Sequence, residues 1–185
     1  MGSKLNLENT FIHDLKIITP HGHKDHRGEF SRVFCKEELS DVFDGKDIKQ
    51  INHSITKEKG AVRGLHFQYP PNCEIKFVKC IKGKVLDIVV DIRKDSPTFL
   101  QHLIVELSPI NQKMIYIPKG FAHGFQVLES DSELLYLHSE FYTQENEGAL
   151  NIVDPLLNIT LTLSVTDISQ RDKEHPFINK EFKGI

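Results

Sequence analysis

Arg63, His66, Lys76 and His123 are the residues of this chain whose types and spacing could do chemistry. The run Arg63-Gly64-Leu65-His66-Phe67-Gln68 comes shortly before Lys76. Later comes Pro118-Lys119-Gly120-Phe121-Ala122-His123-Gly124-Phe125, so histidines and cations sit on short β-type runs beside strong turn signals. An imidazole takes or gives a proton near neutral pH, and a cation holds an anion. Together they point to acid–base chemistry on an anionic substrate.

The elements that must position these groups are strands. Apolar residues recur with a period of two over Leu15 to Thr19, Phe30 to Phe34, Ile48 to Thr56, Val62 to Phe67, Ile75 to Ile81, Val85 to Ile92, Phe99 to Leu107, Met114 to Ile117 and Leu134 to Ser139. Turn chemistry at Lys82-Gly83-Lys84, Asp95-Ser96-Pro97, Ser108-Pro109 and Lys119-Gly120 separates several of them, a spacing expected of a sandwich or barrel. The expected class is all-β, a jelly-roll barrel with short peripheral helices at Lys36 to Phe43 and after Asp167. Strand parity puts Val62, Gly64, His66 and Gln68 on one face, and Lys76 with Val78 and Cys80. Parity alone leaves two readings of these polar groups open: an inward catalytic pair, or an exposed Lys76 with a hydrogen-bonded core His66. His123 has the same alternatives. His13, His21, His23, His26, His53, His102, His138 and His175 receive no role. Asp87 and Asp91, alternating with Ile88, Val90 and Ile92, read as a polar face or turn partners outside the site.

Composition narrows the function classes. At 185 residues the chain is expected to be one domain over 1–185, able to bury about 70% of its unfolded surface. A formal charge of -3 gives no bulk reason to expect nucleic-acid or membrane-surface binding, so a phosphate must be held by a local site. Cys35, Cys73 and Cys80 are odd in number and lack C-x-x-C spacing, signalling neither a disulfide framework nor a zinc ribbon; a reducing cytoplasm is the simplest location. No stretch approaches the roughly 18 apolar residues of a membrane span, and the polar start Met1-Gly2-Ser3-Lys4 does not read as a signal peptide.

The two His-bearing runs resemble those of a cupin barrel, where such motifs supply metal ligands through a His-x-His pair, a later carboxylate and a third His after Pro-x-Gly. Here the set is broken: Gln68 replaces the second His, Asn72 and Cys73 stand where the carboxylate belongs, and only His123 remains. A transition metal wants three or four well-placed donors. His66 is therefore read as a base, and neither metal nor cofactor is expected.

The ordered series Asp25-His26-Arg27-Gly28-Glu29-Phe30, Asn52-His53-Ser54, Arg63 to Gln68, Lys76, Asp91-Ile92-Arg93, Ser96-Pro97-Thr98-Phe99, Ile117-Pro118, Gly120 to Phe125, Leu134-Leu135-Tyr136, Asp154-Pro155 and Ser169-Gln170-Arg171-Asp172 resembles the dTDP-4-dehydrorhamnose 3,5-epimerase family over roughly residues 10 to 176. The resemblance implies a cofactor-independent enzyme that inverts C3 and C5, on either side of the C4 ketone of a nucleotide-linked sugar, in deoxysugar or surface polysaccharide biosynthesis. It implies His66 as base, Tyr136 as acid, Asp172 as the carboxylate paired with the base, and Lys76 as the cation beside the sugar. Gln50, Asn52, Arg63, His123 and Glu147 match substrate contacts. Arg27 matches a contact from a neighbouring subunit, so a homodimer with exchanged N-terminal strands is implied.

Three positions depart from the family pattern where the nucleotide should lie. Arg32 stands for a Glu, Phe141 for a Tyr, and Arg171 for a Lys. A guanidinium in place of a carboxylate turns an acceptor into a donor, which points to guanosine or cytidine in place of thymidine and admits a heptose as well as a hexose. Phe141 retains the ring needed to stack on a base. The competing readings are a C3-only epimerase of the same family, a non-catalytic sugar-nucleotide binder, and a metal-dependent cupin.

Overall fold

In the computed structural model, residues 3–185 are described; Met1 and Gly2 of the polar start lie outside them. Strands β1 (Leu5–Asn9), β2 (Lys16–Pro20), β10 (Met114–Ile117), β7 (Lys76–Lys82), β12 (Ser132–His138) and β5 (Gln50–Thr56) form one sheet in the order β1-β2-β10-β7-β12-β5. Strands β13 (Glu147–Ala149), β6 (Val62–Gln68), β11 (Phe121–Val127), β8 (Val85–Asp91) and β9 (His102–Leu107) form the second, in the order β13-β6-β11-β8-β9. Neighbours within both sheets are antiparallel, and β3 (His23–Asp25) pairs with β4 (Gly28–Phe30) as a separate hairpin. The result is the expected cupin-like jelly-roll barrel. Its two helices are short: α1 (Ser40–Phe43) and α2 (Gln170–Glu174). Among the described residues no helix is long and apolar enough to cross a membrane.

Burial on three levels explains why so many strands read as apolar on both faces. Between the sheets, Val78, Cys80, Ile115, Ile117 and Leu134 meet Val85, Val89, Leu107, Phe121, Phe125 and Val127. The outer face of the second sheet, with Leu65, Phe67, Ile88, Val90, Ile92 and Ala122, is covered by Leu150, Ile152, Leu157 and the C-terminal segment. The outer face of the first, with Ile18, Phe77, Met114, Tyr116 and Leu137, is covered by Leu39 and Phe43 around α1. At about 25 cal/mol per Å² of apolar surface, such packing outweighs the weak local preferences of the helical turns.

Eight of the nine expected strands form, Met114 to Ile117 with its expected bounds and the other seven with shifted ends. Phe30 to Phe34 does not: the chain leaves β4 at Phe30, and Phe34 instead packs edge-on against Phe43 and Phe77. The helix expected over Lys36 to Phe43 is a run of turns that becomes helical only at Ser40, where Leu39 at the N-cap makes no side-chain cap bond. The helical region after Asp167 condenses to α2, capped by Ser169, whose side chain accepts from the Asp172 backbone N–H. Strand β11, which carries His123, was not among the nine.

Candidate active site

A cleft of about 610 Å³ opens between the sheets, lined by polar groups from both. The first sheet supplies Asn52 and Ser54 from β5, Lys76 from β7, and Tyr136 and His138 from β12. The second supplies Arg63 and His66 from β6 and His123 from β11; Arg171 and Asp172 reach in from α2. Tyr136 and His66 therefore face the same space from opposite walls.

Alternation along β6 would put Arg63 and His66 on opposite faces, but both line the cleft. The β6–β11 register shifts between His123 and Phe125. Gly64 has φ +106°, and a Cβ there would lie 2.6 Å from Gly124 Cα; one on Gly124 would lie 2.5 Å from the Arg63 carbonyl oxygen. Two glycines thus let the backbones close together and reset the side-chain phase. Val62 consequently joins Leu65 and Phe67 on the outer face, so the expected grouping of Val62 with His66 is corrected.

Three histidine–carboxylate pairs organise the cleft. His66 Nε2 lies 2.8 Å from Asp172 Oδ1, while Asp172 Oδ2 accepts the Gly64 N–H at 3.2 Å. A carboxylate only accepts, so Nε2 carries the proton toward Asp172 and Nδ1 keeps its lone pair; Arg171 Nη2, 3.3 Å from the same Nε2, can only donate and so makes no hydrogen bond to it in this tautomer. Burial opposes ionisation of Asp172, yet His66, the Gly64 N–H and Ser169 together hold its carboxyl below the usual range. His123 Nε2 pairs with buried Asp87 at 2.9 Å, leaving Asp87 Oδ1 buried without a partner. His138 Nδ1 donates to Glu74 Oε2 at 2.7 Å, and Lys76 Nζ meets Glu74 Oε1 at 3.0 Å. Burial pushes Glu74 up, but Lys76 and His138 outweigh it and keep the carboxyl below its ordinary value.

Tyr136 sits between two of these imidazoles, edge-on to His123 at 6.2 Å and stacked with His138 at 6.0 Å. Its hydroxyl is 3.3 Å from Ser54 Oγ. Burial raises the phenol well above its ordinary value, against the smaller opposing effect of the Ser54 hydrogen bond. It stays protonated and able to donate. Lys76 Nζ also reaches the His66 carbonyl oxygen at 3.5 Å, which places an ammonium on the cleft lining beside the strand that carries the base. An arrangement of one open imidazole lone pair, one protonated phenol and one ammonium can remove a proton, hold the resulting negative charge, and return a proton from the other side.

Of the residues expected in the site, His66, Lys76, Tyr136, Asp172, Asn52, Arg63, His123 and Arg171 line the main cleft. Gln50 and Glu147 line an adjoining space of about 150 Å³ that shares His66 and Lys76 with it. Arg171 pairs with Glu147 at 2.9 Å. Arg27, Arg32 and Phe141 stand outside both spaces within one chain. Arg27 is on the wholly exposed β3–β4 hairpin and bonds to Asp25; Arg32 pairs with Glu38; Phe141 is 57% exposed with Lys49 Nζ 5.3 Å from its ring centre.

Sequence reasoning missed Asp87, Glu74 and His138. Asp87, expected on a polar face or as a turn partner, points instead into the barrel: β8 is buried on both sides, and its odd positions Val85, Asp87 and Val89 face inward. That parity was available once β8 was taken as a two-sided core strand. The donor set a cupin would use for a metal is not assembled. The Gln68 amide is spent on Asn72, Phe141 and Thr143 of the backbone, and Asp87 holds His123.

The family model for dTDP-4-dehydrorhamnose 3,5-epimerase matches residues 9–180. A curated enzyme of that name from Shigella flexneri is 37% identical over 169 residues, covering 91% of this chain and 93% of its own length. The crystal structure of the dTDP-4-dehydrorhamnose 3,5-epimerase of Elizabethkingia anophelis superposes with a TM-score of 0.91 at 31% identity, covering 97% of this chain and 100% of that one. The Legionella pneumophila dTDP-6-deoxy-D-glucose-3,5-epimerase, solved in complex with dTDP-4-keto-L-rhamnose, gives a TM-score of 0.88 at 37% identity, covering 94% and 92%. Sequence, fold and relatives agree over nearly the same span, and the chain belongs to the dTDP-4-dehydrorhamnose 3,5-epimerase family, whose members are isomerases.

Proposed function

We propose that this chain inverts C3 and C5 of a nucleotide-linked 4-keto sugar, with His66 as base and Tyr136 as acid. The observation that carries the reading is the His66–Asp172 pair facing a protonated Tyr136 across one cleft that Lys76 also lines. The ketone acidifies the C–H bonds on both neighbouring carbons. His66 Nδ1 takes the proton, and the C–H electron pair moves into the enolate, whose oxygen Lys76 stabilises. Tyr136 then delivers its proton to the opposite face of the carbon, inverting it; Tyr136 is reprotonated from solvent through Ser54 and His66 releases its proton to solvent, which readies both for the second carbon. Asp172 fixes the tautomer of His66 and balances the imidazolium. The chemistry is complete without a cofactor.

Arg63 suits the diphosphate through its planar fork, joined by His123, Asn52, Gln50, Glu147 and Arg171 around the sugar and its linkage. The relatives favour dTDP as the carrier and a 6-deoxyhexose as the sugar. Arg32, Phe141 and Arg171 favour a second reading, a guanosine- or cytidine-linked hexose or heptose, since a guanidinium replaces the family's carboxylate. The exposed hairpin bearing Arg27, which reaches no cleft in its own chain, supports a homodimer in which N-terminal strands are exchanged. We assign the whole of 1–185 to this one domain, working in the cytoplasm in deoxysugar or surface polysaccharide synthesis. Retention of Tyr136 favours double epimerisation over inversion at C3 alone.

The test is turnover in deuterated water on 4-keto sugars linked to dTDP, GDP, CDP and UDP. Proton NMR should show deuterium entering C3 and C5, and His66→Ala should abolish both. Full exchange in that variant removes His66 from the role of base. Clear preference for dTDP eliminates the guanosine and cytidine reading.

A further inference from the structure

We propose that His66, Asp172 and His175 form a binding site for a zinc-class divalent cation that switches the base off. The inference rests on the reading of His66 as base, although the site itself does not. A ring nitrogen of each histidine and an Asp172 carboxylate oxygen all lie within 4.8 Å of one another. His66 Nε2 is 2.8 Å and His175 Nε2 3.9 Å from the same oxygen, Asp172 Oδ1. The rings stand at 80° with centroids 6.5 Å apart. His175 Nε2 is buried and has no hydrogen-bond partner, an unmet need that a ligand there would relieve. Nothing in the proposed epimerisation uses it.

The donor chemistry selects the cation. Two imidazoles and one carboxylate, with a fourth position open to water, suit Zn²⁺ or Co²⁺ and not the oxygen-seeking Mg²⁺ or Ca²⁺. Bonds of about 2.0–2.1 Å in a tetrahedron separate ligand atoms by about 3.3 Å. His66 Nε2 and Asp172 Oδ1, at 2.8 Å, therefore part slightly, while His175 Nε2, 3.9 Å from that oxygen, moves in toward both. Arg171 opposes binding: its Nη2 lies 3.3 Å from His66 Nε2. With its side chain 56% exposed, however, Arg171 can turn to solvent.

Capture of the Nε2 lone pair requires the imidazole proton to move to Nδ1. No proton is gained or lost overall, but the nitrogen facing the cleft becomes a donor and can no longer accept a proton from carbon. This location differs from a cupin-type centre. It lies on the α2 side of His66 and excludes Gln68 and His123.

Full-length protein stripped with chelator should be titrated with Co²⁺. One equivalent should give the intense visible bands of a tetrahedral nitrogen–oxygen site, displaced by Zn²⁺ and lost in His175→Ala and in the closer-sized His175→Gln. In the turnover assay Zn²⁺ should inhibit the parent reversibly. The His175 variants, with basal activity within about twofold of parent, should need at least about tenfold more Zn²⁺ for half-inhibition. Unchanged Co²⁺ bands in both variants, or stoichiometric binding that leaves turnover untouched, overturns the proposal. The Co²⁺ spectrum needs no substrate, so a parent without epimerase activity would refute the proposed function while the site is still judged by its bands.

Discussion

Replacing Asp172 by Asn tests the coupling between helix α2 and the base on β6. The change keeps size and one acceptor for the Gly64 N–H, but removes the charge 2.8 Å from His66 Nε2. At an effective dielectric of about 20, unit charges about 4 Å apart attract by about 4 kcal/mol. His66 retains 30% of its side-chain exposure, which discounts the contribution to about 3 kcal/mol, or somewhat over 10² in rate. A second effect adds to it: an Asn amide can donate to Nε2, which shifts the imidazole proton to Nδ1 and removes the lone pair that faces the cleft. The expected loss of solvent exchange at C3 and C5 is therefore between about 10² and 10⁴. It should be measured by proton NMR in deuterated water under saturating substrate. Thermal stability should fall by only about 1 kcal/mol, since the Gly64 contact survives as a neutral hydrogen bond. Exchange within about threefold of the parent, in a folded variant, would refute the reasoning.

Tyr136→Phe should leave exchange at least at one carbon detectable while lowering formation of inverted product by about 10² or more, read by comparing deuterium incorporation with product configuration. Gly64→Ala should destabilise the fold by at least about 2 kcal/mol, and so lower Tm by several degrees in a calorimetric scan, because φ +106° and a 2.6 Å approach to Gly124 Cα leave no room for Cβ. Asp172, Glu74 and Asp91 all have folded-state carboxyl pKa values below their ordinary ones, with burial opposed and outweighed by their partners. Stability from such groups is fully present above the unfolded values, about 3.9 for Asp and 4.3 for Glu, and is lost as pH falls through the depressed folded values. Denaturant midpoints should therefore drop steeply below about pH 4, and less steeply in Glu74→Gln.

Most of the eight legible strands alternate because one face differs from the other; β10, buried throughout, was legible instead as an unbroken apolar run. β11 was not, since its seven residues are all buried and His123-Gly124 interrupts the apolar run at the very place where the register shifts. The β3–β4 hairpin was illegible for the opposite reason: all six strand residues are exposed, so no apolar rhythm exists to mark them. Phe30 to Phe34 shows the limit of composition. Its aromatic spacing suits a strand, but Phe34 gains more by joining Phe43 and Phe77 than by pairing in a sheet.

The site divides along the same line between local and non-local information. His66, Lys76, Tyr136 and Asp172 were found through their motifs, each a short stretch of chain. Their partners answer to no short stretch. Glu74 reaches His138 because β7 and β12 pair with Lys76 opposite His138, a register fixed by the sheet as a whole. Asp87 reaches His123 because β8 and β11 pair with Val89 opposite His123, bringing the two inward faces together. The consequence is chemical as well as structural. Each of the three imidazoles in the cleft has one nitrogen committed to a carboxylate from elsewhere in the chain, which fixes its tautomer before any substrate arrives. Only for His66 does that commitment come from a helix outside the barrel. A rearrangement of α2 can therefore alter the base without disturbing the walls that hold the phenol and the ammonium.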